Sequence, residues 1–216
     1  MTTSLSHLVS GLRQHAFPLQ ETGEFCVPEP FVKELLRAIG VRTPAGAVVD
    51  AQGVTAAAQD LQAPFVLKAW GPGIVHKSEL GAVKVGVARE DADSAGTAML
   101  AAVAGHGIEG AQLYVEEMAE PGTEILFGLV SRPPFGTLAL LSMGGTKAEL
   151  FGDPAVRLCP LSAETVGEMV DEFRGAALLK GYRGAPVADR EALIAAILAL
   201  AGAGGLAERL GDDFAE

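Results

Sequence analysis

The sequence predicts an α+β fold in two lobes, each built on mostly antiparallel sheet. Three observations lead there. Strand-like and helix-like stretches are mixed without strict β-α-β alternation. Consecutive predicted strands are joined across a short turn at Pro121-Gly122. A length of 216 residues with 49% apolar side chains suits one large domain or two lobes sharing a seam.

Residues 1–28 show weak apolar periodicity and read as an N-terminal arm. Beyond it, Phe31, Leu35, Ala38 and Ile39 recur at helical spacing, and Gly40 supplies the stop. The stretch 41–49 carries Pro44 and Gly46 and then a short β-type run. Residues 55–61 read as a short helix, and 65–68 and 82–88 as strands. Asp91 opens an alanine-rich helix that ends at Gly105-His106-Gly107. Strands are predicted over 112–118, 124–130 and 137–142, the last followed by Gly144-Gly145. Residues 162–173 form a helix with Ser162 at its N-cap. Asp189 caps a last long helix through Ala201, whose apolar residues cover most of its circumference and predict deep burial.

The formal net charge of −11 argues against binding nucleic acid or an anionic membrane. It leaves room for a nucleotide site, because a few local lysines and backbone N–H groups hold phosphates inside an acidic protein. Cys26 and Cys159 are too few for a disulfide scaffold and read as free thiols in a reducing compartment. No charged segment followed by an apolar stretch opens the chain, and the longest uncharged run, 192–207, is broken by glycines and too short to span a membrane. The expectation is a cytoplasmic protein.

The stretch 64–87 carries the most chemistry. An apolar strand ends in Lys68, a loop broken by Gly71, Pro72 and Gly73 follows, and His76-Lys77-Ser78-Glu79 precede the next strand. Lys68 either snorkels to solvent or sets one ammonium on phosphate oxygens at a sheet edge. An imidazole at His76 is a competent nucleophile toward phosphorus, and Lys77 beside it is suited to stabilise the phosphorylated product. Glu116, Glu117 and Met118 end a strand just before Pro121-Gly122, which is either an edge-strand charge pair or a seat for an adenine. Glu124 begins the next strand, and Glu149 and Asp153 flank the loop after Gly144-Gly145. These carboxylates suit magnesium or ribose hydroxyls, and the glycine pair either admits a phosphate to the backbone or is a plain turn. Arg157 is a phosphate ligand or the ion partner of Asp153.

Taken in order, these pieces resemble the ATP-grasp domain of the ADP-forming acyl-CoA synthetases, also called acetate–CoA ligases (ADP-forming). The family's blocks run P-V-V-L-K, H-K-S-D-x-G-G-V, V-x-x-M-x-x-x-G-x-E, F-G-P, G-G-x-x-x-E-L-x-x-D, R-L-x-P-L and L-L-x-G-x-R-G-x-P-x-x-D. They stand here at 64–68, 76–83, 115–124, 135–137, 144–153, 157–161 and 178–189, so the resemblance spans 30–216.

The resemblance implies an ATP-grasp fold: an N-terminal lobe over 29–120, with a His-bearing loop at 70–81, and a C-terminal lobe over 121–216 that close over a nucleotide. It implies a reaction of a carboxylic acid, CoA and ATP to acyl-CoA, ADP and phosphate, with the phosphoryl group carried on His76. Lys68 matches the phosphate-binding lysine, and Lys77 stands beside His76 in the same block. The strand end Glu116, Glu117 and Met118 matches the adenine hinge, and Glu124 matches a nucleotide-binding acid. Gly144, Gly145 and Glu149 fall in the block that follows, with Asp153 as a metal candidate for Mg2+. The partner implied is a CoA-binding alpha subunit or fused CoA-binding domain.

The chain departs from the pattern at Glu79, where the family has aspartate, at Ala82, and at Arg132, where an aspartate becomes an arginine. It also stops at Glu216, before the family's E-x-N-P strand and its magnesium ligands. The alternative expectation is therefore a regulatory nucleotide-binding module working with an acyltransferase or a CoA-binding partner.

Overall fold

The computed structural model describes residues 5–19, 24–75, 77–145 and 154–211. The chain divides into two compact units, one of residues 1–38 and 42–120, the other of 39–41 and 121–216.

The first unit begins with α1 (Leu5–His15) and a small hairpin of β1 (Phe17–Pro18) and β2 (Phe25–Cys26), where the sequence predicted only an arm. The signal was present: Leu5, Leu8, Val9 and Leu12 recur at helical spacing. Tertiary contact secures the helix, since the His15 ring stacks on Phe31 at 3.7 Å. Phe31 lies on α2 (Glu29–Ala38), which stops at Gly40 with a left-handed φ of 86°.

The main sheet of this unit contains β3 (Gly46–Val49), β4 (Phe65–Trp70), β5 (Val83–Val87) and β6 (Gln112–Glu117). The strand order is β3-β6-β4-β5, antiparallel throughout. Residues 55–61 yield only one turn, α3 (Val54–Ala57), while Asp91 precedes α4 (Ala92–Gly105) as expected.

Period-two alternation divides the sheet cleanly. Phe65, Leu67, Leu113 and Val115 are fully buried in one core with Val54 of α3 and Met99 and Val103 of α4. Burying each such side chain is worth about 1.5–3 kcal/mol. Lys68, Tyr114 and Glu116 alternate with them, and that side meets α2: the Lys33 ammonium lies 5.4 Å from the Tyr114 ring centroid. Arg37 reaches the Tyr114 hydroxyl at 3.5 Å.

The second unit holds a three-stranded antiparallel sheet of β7 (Ile125–Arg132), β8 (Gly136–Met143) and β9 (Ala155–Leu158), in that order. The strand β9 was not predicted. Its four residues, Ala155-Val156-Arg157-Leu158, are too short for periodicity to register, and pairing with β8 makes them a strand.

Helix α5 (Ala163–Glu172) is capped as predicted, with the Ser162 hydroxyl accepting the Thr165 N–H. One turn, α6 (Ala176–Leu179), leads to α7 (Arg190–Ala201), where the Asp189 carboxylate accepts the Ala192 N–H. The chain's last long helix is α7, and a further short one, α8 (Leu206–Leu210), follows it. Helix α7 is not deeply buried: Ile194, Ile197 and Ala201 enter the core with Leu141, Val166 and Met169, while Ala192 and Ala195 face outward. Alanine covers both faces of this helix without marking either, and that misled the expectation.

Among the described residues no helix is long and apolar enough to cross a membrane.

Candidate functional site

In the first unit five charged side chains from four segments converge. Glu29 and Lys33 stand one turn apart on α2 and form an i,i+4 pair of 2.7 Å. As the first residue of α2, Glu29 also places negative charge at the positive end of the helix. Lys68 lies on β4 opposite Tyr114, and Glu116 lies on β6 opposite Val66. Lys68 and Glu116 are therefore diagonal neighbours on one face, within reach of long side chains. Lys77 belongs to the connection between β4 and β5, where its carbonyl accepts the Ala82 N–H at 2.7 Å.

The contacts form one network. Glu116 pairs with both Lys33 and Lys68. Glu29 Oε1 takes Lys33 at 2.7 Å and Lys68 at 2.5 Å, and its Oε2 takes Lys77 at 2.7 Å. Three ammonium groups thus face two carboxylates, a net charge of +1.

Burial alone would raise the Glu29 pKa, but hydrogen bonds from Lys33, Lys68 and Lys77 outweigh it and hold the carboxyl at about 2. Burial would lower the Lys68 pKa, and its bonds to Glu116 and Glu29 raise it instead. Both stay ionised at neutral pH. Glu116 is the buried member and the other four are half-buried; an unpaired charge at Glu116 would cost several kcal/mol, and Lys33 and Lys68 prevent it.

Of the residues singled out from sequence, Lys68, Lys77 and Glu116 are brought together here. Glu117 turns to the other side, where its Oε1 accepts the Gln62 N–H at 2.8 Å. Met118 lies one residue past the end of β6 and is exposed. His76, Glu149 and Asp153 lie outside the described residues. Glu29 and Lys33 were not singled out from sequence, although their i,i+4 spacing at the start of an amphipathic helix was visible.

The second unit assembles Glu124, Gly144 and Gly145. The Gly144 N–H donates to the Glu124 carbonyl at 2.9 Å, which carries the antiparallel pairing one step beyond the start of β7 and the end of β8. The Glu124 carboxylate lies over Gly145, where a Cβ would fall 1.8 Å from Oε2, and Gly145 has a φ of +65°. Only glycine allows that approach and that backbone without strain. Arg157 binds Glu172 at 2.8 Å, a surface pair across β9 and α5, and its alternative partner Asp153 lies outside the described residues. Arg132 is exposed and donates to the Ser131 carbonyl at 3.2 Å.

Both cysteines are free, and burial raises both thiol pKa values, with Lys77 partly opposing the rise at Cys26. Neither is a thiolate nucleophile at neutral pH. No group of three metal-ligating side chains occurs among the described residues. A nucleotide-bound magnesium needs only one or two carboxylates, with phosphate and water completing its shell, and Glu124 is of the right oxygen chemistry.

Comparison with known proteins shows the family. The chain is 34% identical over 140 residues to an ADP-forming acetate–CoA ligase I of Archaeoglobus fulgidus, covering 63% of this chain and 20% of that protein. It is 27% identical over 169 residues to the beta subunit of an ADP-forming acetate–CoA ligase I of Pyrococcus furiosus, covering 76% of this chain and 73% of the subunit. The chain spans 20% to 24% of the length of the first curated relatives it matches. Among solved structures, acetyl-coenzyme A synthetase 1 of Ca. Korarchaeum cryptofilum matches with a TM-score of 0.70 and 26% identity, over 89% of this chain and 84% of that one. That protein was solved with coenzyme A and Mg-AMPPCP, its phosphohistidine segment pointing towards the nucleotide binding site. A family model for the ATP-grasp domain matches residues 19–203, and the chain belongs to that family.

Proposed function

We propose that this chain is the nucleotide-binding part of an ADP-forming acyl-CoA synthetase, which turns a carboxylic acid, CoA and ATP into acyl-CoA, ADP and phosphate. One observation carries the reading. The ammonium groups of Lys68 and Lys77 converge on a single carboxylate, 2.5 and 2.7 Å from its two oxygens, and so are spaced to hold one anion. Lys77 is the chain neighbour of His76.

In this reading Lys68 and Lys77 neutralise the transferring phosphate, and His76 is the phosphoryl carrier. An imidazole nitrogen bonds to the γ-phosphorus, the bond to the β,γ-bridging oxygen breaks, and ADP leaves with that electron pair. The family resemblance supports Glu116, Glu117 and Met118 at the adenine, and Glu124, Gly144, Gly145 and Glu149 along the nucleotide. In the structure, however, the Glu116 carboxylate is turned to Lys33 and Lys68, so its part is to orient Lys68. Magnesium, when bound, would neutralise phosphate charge, with Glu124 and Asp153 as the carboxylates to hold it.

The partner is a CoA-binding alpha subunit or domain, which receives the phosphoryl group and supplies the acid and CoA sites. The free thiols of Cys26 and Cys159 suit a reducing cytoplasm.

The test mixes the purified chain with its CoA-binding partner and γ-labelled ATP. Acid-labile label is expected on His76, absent in His76→Ala and reduced about a hundredfold in Lys68→Met. Equal labelling of His76→Ala and wild type would remove the relay.

A further inference from the structure

We propose that Glu29 is a displaceable stand-in for nucleotide phosphate: its carboxylate holds Lys68 and Lys77 together until a phosphate group of a nucleoside di- or triphosphate takes its place. The inference rests on the nucleotide reading above and adds a residue that opposes binding while preparing the site for it.

Three observations carry it. The first is occupancy. Glu29 spans the two lysines with separate oxygens, as a phosphate group would, so an incoming anion must share them or replace it. The second is the gradient of enclosure. The Glu116 side chain is 4% exposed, whereas those of Glu29 and Lys77 are 26% and 29% exposed. An anion arriving from solvent therefore meets Glu29 and Lys77 first, and Glu116 stays sealed behind Lys33 and Lys68.

The third is the charge balance after exchange. Glu29 keeps Lys33, its own i,i+4 partner at 2.7 Å, when it releases the other two. Glu116 keeps Lys33 and Lys68. Phosphate then faces Lys68 and Lys77, and no member of the set is left as an unpaired buried charge.

A ligand gains from the exchange only by offering more than one carboxylate does. Polyphosphate meets that condition through its greater charge and its several oxygens.

The test is calorimetric titration of wild type, Glu29→Gln and Glu29→Asp with ADP at fixed ionic strength, beside urea denaturation of each. Glu29→Gln is expected to bind ADP about three- to tenfold more tightly, because a competing charge is gone, while its urea midpoint falls. Glu29→Asp keeps the charge and stays near wild type in affinity. A residue with a purely structural role would lose affinity and stability together.

If wild type binds ADP and a folded Glu29→Gln binds it no more tightly, the inference is overturned and the nucleotide reading stands. If neither binds ADP, the nucleotide reading itself falls, and this inference with it. A measurement on wild type alone covers the case in which Glu29→Gln does not fold. Addition of ADP should shift the carbon-13 resonance of the Glu29 carboxylate. A resonance that stays in place while ADP binds would overturn the exchange.

Discussion

In the first unit Glu29 and Glu116 are enclosed with three lysines from α2, β4 and the connection after it. In the second, Asp171 and Glu172 meet Lys180, Arg190 and Arg157 at the surface, where the two acidic side chains are 47% and 45% exposed. Each set places two carboxylates among three cations, yet the physics differs. Water screens the second set and would solvate either partner if the other were removed. The first set is built around Glu116, which is held where a lone charge has nowhere to go, so the half-buried lysines and Glu29 depend on one another through it. Charges tallied without their enclosure would have ranked the two regions equal.

The largest effect should come from the most enclosed group. Glu116→Ala leaves Lys33 and Lys68 sharing Glu29 alone and is expected to lower unfolding free energy by about 3–5 kcal/mol. Urea denaturation measures it, and a change below that seen at surface pairs would break the contrast.

Next is the acid limb. The Glu29 pKa is about 2 in the folded chain against an ordinary 4.5, so its ionised form favours folding. That contribution, up to about 3 kcal/mol, is fully present above pH 4.5 and lost as pH falls toward 2. The stability gap between wild type and Glu29→Gln should close over that interval, and a gap constant with pH would count against the ionised network. Lys68 works in the opposite sense. Its pKa is raised above the usual 10.5, so its share is present below that pH and lost as pH climbs through the folded value.

A smaller effect is expected at the Glu124 corner of the second unit. Gly145→Ala places a Cβ against Glu124 at a φ of +65° and should cost about 1–2 kcal/mol from the backbone alone. Glu124→Ala removes the clash, so the double variant should lose less than the sum of the singles. Strict additivity would mean that the carboxylate does not rest on Gly145.

The smallest effect belongs to the surface pairs. Arg157→Gln and Asp171→Asn should leave the urea midpoint within experimental error. A clear drop in either would show that exposure is a poor guide to these interactions.

Much of the architecture was legible because it rests on local chemistry. Asp189 and Ser162 announce helix starts by side-chain capping, and Gly40 announces a helix stop by its φ. The alternation in Phe65-Val66-Leu67-Lys68 fixes which strand residues share a face. What escaped was structure stabilised mainly by partners elsewhere. Helix α1 leans on Phe31, and β9 is a strand because β8 pairs with it. The site divides in the same way. Lys68 and Lys77 stood out by their place around an apolar strand and a glycine-broken loop. Glu29 and Lys33, 35 or more positions away from Lys68, carried only an ordinary helical spacing.

By itself, then, the sequence determined the family, the α+β class, the main strands and capped helices, and a set of residues suited to phosphate. Each depends on residue order along one segment or on ordered motifs. Only the tertiary structure decided that Glu29 holds Lys68 and Lys77 on its two oxygens, and that Glu116 is sealed against Lys33 and Lys68. Enclosure is a property of segments packed together, and enclosure makes those charges interdependent.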